Sequence, residues 1–83
     1  MKLEEYRNAI DGLDEKIVAL LDERFELSEL IGEYKKENSL PVCDPEREKE
    51  LLEKVRKMSR RPDECEVVYR AILDGSKKIQ NKE

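Results

Sequence analysis

Histidine is absent from this chain of 83 residues. Without an imidazole the chain has no Ser-His or Cys-His catalytic pair, no histidine general base and none of the usual histidine ligands of zinc. Tryptophan is also absent and phenylalanine occurs once, which is a poor basis for a self-sufficient globular core. Any enzyme built from this sequence therefore has to work with carboxylates, cations, amides and hydroxyls.

The sequence also has no signal peptide, no apolar run of membrane length and no basic cluster. Its 17 basic and 21 acidic residues are interspersed and give a net charge of −4, so we expect neither a membrane nor a nucleic-acid partner. The two cysteines, Cys43 and Cys65, are expected to remain free thiols because no secretory signal is present. These features predict a cytoplasmic protein.

Glycine and proline are scarce, and the apolar residues follow a spacing of three and four that is typical of amphipathic helices. The pattern predicts one all-α domain over residues 1–83, with helices at about 3–37, 45–58 and 64–80. The prolines at 41, 45 and 62 lie at the breaks between them, and Asp44, directly before Pro45, is the expected N-cap of the second helix. The second helix is expected to bury Leu51, Leu52, Val55 and Met58. The third is expected to place Val67, Val68, Ala71, Ile72 and Ile79 on one side.

The first helix is about as long as the other two laid end to end, so a lone chain would leave much of its apolar stripe in water. Each Å² of apolar surface left in water costs about 25 cal/mol of free energy. We therefore expect a homodimer in which two long helices pair and the shorter helices wrap round them.

Each helix carries polar residues on the face that is otherwise apolar. Arg24 interrupts the stripe of the first helix, Glu48 that of the second, and Ser76 and Gln80 that of the third. A single buried polar residue often only fixes the register of a helical pair. The second explanation is a polar site between the helices, because all three helices carry such residues on their apolar faces. In either case, buried polar groups require hydrogen-bond partners.

Two further cations fit such a site in different ways. Lys35 lies three turns after Arg24 on nearly the same face, with the two Cα atoms roughly 16 Å apart, so both side chains could close on one small anion. Arg7 lies roughly 26 Å from Arg24 along the helix, beyond the reach of the same small ligand. If Arg7 takes part, it must come from a partner subunit; otherwise both cations are solvated surface charges.

Three stretches of the sequence resemble the all-helical chorismate mutases, which are intertwined dimers: "YRNAIDGLDEKIVALLDERFEL", "IGEYKKENSLPVCDPEREKELLEKV" and "AILDGSKKIQ". The likeness covers nearly the whole chain in order. It implies conversion of chorismate to prephenate, a pericyclic rearrangement on the route to phenylalanine and tyrosine that needs no cofactor or metal.

The resemblance also implies roles for individual residues. Arg24 and, from the partner subunit, Arg7 would bind the two substrate carboxylates. Lys35 would bind a carboxylate and the ether oxygen of the breaking bond, and Gln80 would approach that oxygen from the other side. Glu48 would accept a hydrogen bond from the substrate hydroxyl. Supporting members of the site would be Asp44, Arg47 and Ser76.

The sequence departs from the family in two places. The connection "MSRRPDECE" is about a turn short, which could rotate the third helix, and Lys77 stands where an apolar wall is expected. Isochorismate pyruvate lyase, which uses a similar cationic pocket, is the alternative enzyme. A non-catalytic helical dimer is the alternative of another class, and a DNA-binding dimer is disfavoured by the acidic charge.

Overall fold

The computed structural model describes residues 1–82, which form three α-helices: α1 at Lys2–Glu37, α2 at Pro45–Met58 and α3 at Pro62–Lys82. Within that range there is no strand, so the predicted all-α fold is confirmed. The helix ends agree with the predicted ones to within two residues. None of these helices is both long enough and apolar enough to cross a bilayer.

The turn after α1 is closed by backbone and side-chain hydrogen bonds. The Leu40 amide donates to the carbonyl of Lys35 over 2.8 Å, and the Asn38 side chain donates to the carbonyl of Tyr34 over 2.8 Å. Ser39 has a φ of 53°, a left-handed conformation that reverses the chain before Pro41. The helix therefore ends at a defined turn, which brings Val42 back to α1, where its carbonyl accepts a hydrogen bond from Lys35.

The first turn of α2 has the cap that the sequence predicts. A carboxylate oxygen of Asp44 accepts a hydrogen bond from the Arg47 amide over 3.2 Å, and Pro45 occupies the first helical position. Glu46 and Glu48 lie in the same turn, where negative charge suits the helix dipole.

Only three residues separate α2 from α3, and ion pairs fasten the two helices beside this connection. Arg56 donates to Asp63 over 2.9 Å and to Glu66 over 3.0 Å, and Arg70 reaches the other oxygen of Glu66 over 2.8 Å. These two guanidinium groups, Arg70 foremost, lower the pKa of the Glu66 carboxyl below its ordinary value, mainly through their hydrogen bonds.

Helix α3 packs against both other helices, whereas within residues 1–82 no Cα atom of α1 lies within 8 Å of a Cα atom of α2. The packing against α1 is close, because a Cβ added at Gly75 would lie 3.3 Å from the ring of Phe25. Val55 is the buried hydrophobic residue of this small core, and two serines, Ser28 and Ser76, are the buried polar ones.

The N-terminal part of α1 is open to solvent, since residues 1–20 are all exposed. Its apolar stripe is therefore uncovered in the single chain, with Tyr6 63% exposed. The other members of this uncovered stripe are Leu3, Ile10, Leu13, Ile17 and Leu20.

Part of the predicted burial is wrong for the single chain. Met58, which was expected to be buried, is 67% exposed. On the apolar side predicted for the third helix, Val67 is 70% exposed, and Val68 and Ala71 are exposed as well. The buried residue of α3 is instead Ser76, which contacts α1, and Ile72 is half-buried. Apolar spacing identifies a face of a helix, but it does not say whether that face packs within its own chain.

Candidate active site

A cavity of about 430 Å³ is lined by residues of all three helices and of the turn before α2. Its wall includes seven of the eight residues predicted from the sequence: Arg24, Lys35, Asp44, Arg47, Glu48, Ser76 and Gln80. Apolar side chains such as Leu27, Ile31 and Leu51 complete the wall. The polar interruptions on the three helices thus share one cavity.

Arg24 is held at this cavity by two buried serines. Its Nη1 donates to Ser76 Oγ over 2.9 Å, and Ser28 Oγ donates to the Arg24 carbonyl over 3.2 Å. The two hydroxyl oxygens lie 2.6 Å apart. Because Ser28 gives its proton to the carbonyl, Ser76 is the donor between the hydroxyls, and each hydroxyl donates once. The guanidinium keeps its other N–H groups for a ligand.

Lys35 joins α1 to the turn before α2. Its Nζ donates to the carbonyl of Val42 over 2.9 Å. An ammonium group has three donors, so two remain after this bond. The side chain is partly buried and lines the cavity at the same time.

Glu48 lies on the wall formed by α2 and is paired with Lys77 on α3. The Lys77 Nζ lies 3.1 Å from Glu48 Oε1, and it also lies 3.7 Å from an oxygen of Asp74. The hydrogen bond to Glu48 is the main cause that raises the pKa of Lys77. On the other carboxylate oxygen, the thiol of Cys43 is a weak donor at 3.7 Å. A charged pair therefore stands where the sequence led us to expect an apolar wall.

Gln80 reaches the cavity from the last turns of α3. Its Oε1 atom is buried and has no hydrogen-bond partner in the described part of the chain. An unpaired buried amide oxygen is uncommon and carries a free-energy penalty, so this side chain is not held in place by a hydrogen bond from its oxygen.

Asp44 and Arg47 stand at the start of α2 on the rim of the cavity, where both are exposed. The Asp44 carboxylate is already engaged as the helix cap. Arg47 contributes only its backbone amide to that bond. Within residues 1–82 its guanidinium forms no hydrogen bond or ion pair with another side chain.

Arg7 does not line the cavity and lies on the exposed N-terminal part of α1. It precedes Arg24 by seventeen residues of continuous helix, a rise of roughly 26 Å. Within one chain the two guanidinium groups therefore cannot hold the same small ligand.

The charges around the cavity are mostly positive. Arg24, Lys35, Arg47 and Lys77 face two carboxylates, Asp44 and Glu48, in a partly apolar enclosure. Such a site suits a small anion that has more than one acidic group and also a hydrogen-bond donor, such as a hydroxyl, for the Glu48 carboxylate.

A second groove, of about 540 Å³, lies between α2 and α3. Glu48, Leu73 and Lys77 line both spaces, so they separate the groove from the cavity. In this groove Arg56 and Arg70 are already paired with Glu66. The groove therefore offers fewer unpaired cations to a ligand than the cavity does. Among residues 1–82, no group of three acidic or cysteine side chains is placed to hold a metal ion.

Residues 6–81 match the family model described as chorismate mutase type II. The chain belongs to this family. A relative from Methanocaldococcus jannaschii, named chorismate mutase, is 32% identical over 85 residues that cover 98% of this chain and 86% of that protein.

Two further similarities agree with this membership. A bifunctional chorismate mutase/prephenate dehydratase from Aquifex aeolicus is 38% identical over 98% of this chain, and the chain spans only 24% of that relative's length. A solved structure, described as a conserved hypothetical protein from Pyrococcus furiosus, superposes with a TM-score of 0.81 at 38% identity and 96% coverage of both chains.

Membership in the chorismate mutase type II family confirms the resemblance found in the sequence and the class of enzyme that it predicts. That class is an isomerase converting chorismate to prephenate, an activity connected with aromatic amino acid biosynthesis. The relatives from M. jannaschii and A. aeolicus favour the mutase over the lyase alternative.

Proposed function

We propose that this chain carries out the chorismate mutase reaction in the cavity between its three helices, as a homodimer that completes each site with Arg7 of the other subunit. The observation that carries the proposal is the assembly of seven predicted site residues around one cavity. These residues come from distant parts of the chain, and Arg24, Lys35, Glu48 and Gln80 among them meet chemical requirements of the substrate.

The substrate is a dianion, and two carboxylates require two cationic clamps. Arg24 takes one carboxylate, with its guanidinium oriented by Ser76 at 2.9 Å. Arg7 of the partner subunit takes the other, because it lies too far along α1 to reach the cavity of its own chain. A guanidinium pairs with a carboxylate through two parallel hydrogen bonds, which fixes both position and direction.

Lys35 and Gln80 act at the ether oxygen, where negative charge grows as the C–O bond breaks. Lys35 has two donors left after its bond to Val42, and the Gln80 amide adds a neutral donor. Donors aimed at developing charge bind the transition state more tightly than the substrate. Glu48 accepts the hydrogen bond of the substrate hydroxyl and so orients the ring.

The reaction is unimolecular and requires neither a nucleophile nor proton transfer. The protein therefore has to hold the flexible enolpyruvyl arm over the ring and stabilise the charge that forms. This explains how a chain without histidine can be the enzyme.

The dimer is supported by the uncovered half of α1. Six apolar residues from Leu3 to Leu20 lie on one exposed stripe of that helix. A second α1 packed along this stripe would remove the apolar surface from water, worth about 25 cal/mol for each Å² covered. The unpaired thiols of Cys43 and Cys65 suit a reducing compartment, and we place the enzyme in the cytoplasm.

The test follows the loss of ultraviolet absorbance of chorismate, with prephenate identified as product. The purified chain should be active, and Arg24→Ala and Gln80→Ala should each lower kcat/KM by about 100- to 1000-fold. Arg60→Ala is the matched control, because it removes an exposed guanidinium that does not line the cavity.

A folded wild type with no activity on chorismate would contradict the proposal. The same assay with isochorismate would then detect the lyase reaction through release of pyruvate. An Arg24→Ala variant that changed stability alone would favour the non-catalytic dimer.

A further inference from the structure

Lys77 is a cation of the cavity to which the proposed mechanism gives no role. It lies on α3 directly after Ser76, and its side chain is 34% exposed. It faces both the cavity and the groove between α2 and α3. A lysine that served only solubility would extend into water, as its exposed neighbour Lys78 does.

The ammonium group of Lys77 is directed at Glu48. It lies 3.1 Å from Glu48 Oε1, while the carboxylate of Asp74 in the same helix is more distant at 3.7 Å. The Glu48 side chain is only 24% exposed, so water screens this pair less than it screens a surface ion pair. The pair therefore joins α2 to α3 at the wall of the cavity.

The two carboxylate oxygens of Glu48 have different partners. Oε1 is taken by Lys77, and Oε2 has only the weak thiol contact of Cys43 at 3.7 Å. An anchored carboxylate keeps its second oxygen in a fixed direction, and a carboxylate oxygen only accepts hydrogen bonds. Oε2 is thus the atom left for a hydroxyl donor.

We propose that Lys77 is a positioning residue that acts through Glu48: it fixes the carboxylate so that Oε2 accepts the hydrogen bond of the substrate's ring hydroxyl. The proposal rests on the proposed function and assigns a task to the one cation that departs from the family pattern. Lys77 itself does not touch the substrate. Its contribution is to recognition of the hydroxyl group, whereas Arg24 and Lys35 recognise the acidic groups.

The test compares two substrates, chorismate and an analogue that lacks the ring hydroxyl. Lys77→Met removes the charge and keeps the length of the side chain, and we expect it to lower kcat/KM for chorismate on the order of tenfold. With the analogue the same variant should behave as the wild type within about twofold, because no hydroxyl remains to be oriented. A protein that is merely destabilised would lose activity on both substrates.

Three further variants make the comparison decisive. Lys77→Arg keeps a cation opposite Glu48 and should restore most of the activity. Lys78→Met removes the adjacent exposed charge and should leave both substrates unaffected. In a Glu48→Gln background, Lys77→Met should cost little more, because both substitutions disturb the same contact.

Equal losses on both substrates would overturn the proposal, as would a Lys77→Met variant that keeps wild-type activity on chorismate. Additive losses in the Glu48→Gln background would do the same. In each of these cases an active wild type that is inactivated by Arg24→Ala leaves the proposed function intact. A wild type inactive on chorismate would overturn the proposed function, and this inference with it.

Discussion

Ser28 on α1 and Ser76 on α3 are joined by a hydrogen bond between hydroxyl oxygens 2.6 Å apart, and both side chains are buried. Ser76 accepts from the Arg24 guanidinium, and Ser28 donates to the Arg24 backbone carbonyl. The same three residues therefore connect two helices and orient the principal cation of the cavity. A substitution at either serine therefore affects both the packing of α1 against α3 and the surroundings of Arg24.

Ser76→Ala should reduce both stability and activity, because it removes the acceptor of Arg24 and the donor to Ser28. We expect the free energy of unfolding in urea to fall by about 1–3 kcal/mol. Ser28→Ala should cost a similar amount of stability but less activity, since the bond from Arg24 to Ser76 remains. If Ser28→Ala lowered kcat/KM as far as Ser76→Ala did, the orienting role of Ser76 would be wrong.

Arg7→Ala and Arg24→Ala should complement each other when the two inactive proteins are unfolded together and refolded. A mixed dimer has one site with both arginines intact and one site with neither. Random pairing makes half of the dimers mixed, so about one quarter of wild-type activity should return. Refolding either variant alone is the control. Failure of the mixture to recover activity would argue against donation of Arg7 across the dimer.

Gln80→Glu should convert an activity that persists above neutral pH into one confined to acid. The amide is a donor at every pH, whereas a carboxyl group donates to the ether oxygen only while it is protonated. The measurement is kcat/KM across the range from acid to mildly alkaline pH, with wild type and Gln80→Ala as references. A Gln80→Glu variant as active as wild type in mild alkali would exclude a donor role for Gln80.

Gly75→Val should destabilise the protein, because even a Cβ at this position lies 3.3 Å from the Phe25 ring. A branched side chain would force α3 away from α1, at a cost of about 1–3 kcal/mol. Gly12→Ala is the control, because it replaces another helical glycine at which an added Cβ would meet no atom of the chain within 4 Å. It should increase helix stability by up to about 1 kcal/mol, measured by thermal unfolding followed through circular dichroism.

Glu66→Gln should lower stability at neutral pH but not in acid. The two arginines lower the pKa of Glu66 in the folded chain, so this carboxylate contributes stability above its unfolded pKa of about 4.3. That contribution is lost as the pH falls through the lower folded value. The difference between the urea unfolding midpoints of the wild type and Glu66→Gln should therefore disappear as the pH falls below about 4. Glu53→Gln, an exposed carboxylate on the neighbouring helix, is the control.

The helices could be predicted because their signals are local. Apolar spacing predicted α1, and the Asp44–Pro45 pair marked the start of α2 before any contact was known. Burial in the single chain could not be predicted in the same way. Val67 and Met58 are apolar and well placed by spacing, but their exposure depends on the rotation of α3 and on which chain covers them.

The cavity could be predicted in part for a related reason. Arg24 and Lys35 share a face by helix geometry alone, and the interruptions at Glu48 and Gln80 were visible in the sequence. Ser28 was missed, although its position four residues after Arg24 places it on the same face. The pair between Lys77 and Glu48 depends on how α3 is rotated against α2, which the sequence spacing of neither helix determines.

The uncovered half of α1 also affects how the protein reaches its folded state. A helix segment of this length with no packing partner is only marginally stable in water. In the proposed dimer its order comes from association, so we expect folding to be a bimolecular process governed by mass action. Dilution should then favour unfolding, and the melting temperature should rise with the concentration of the protein.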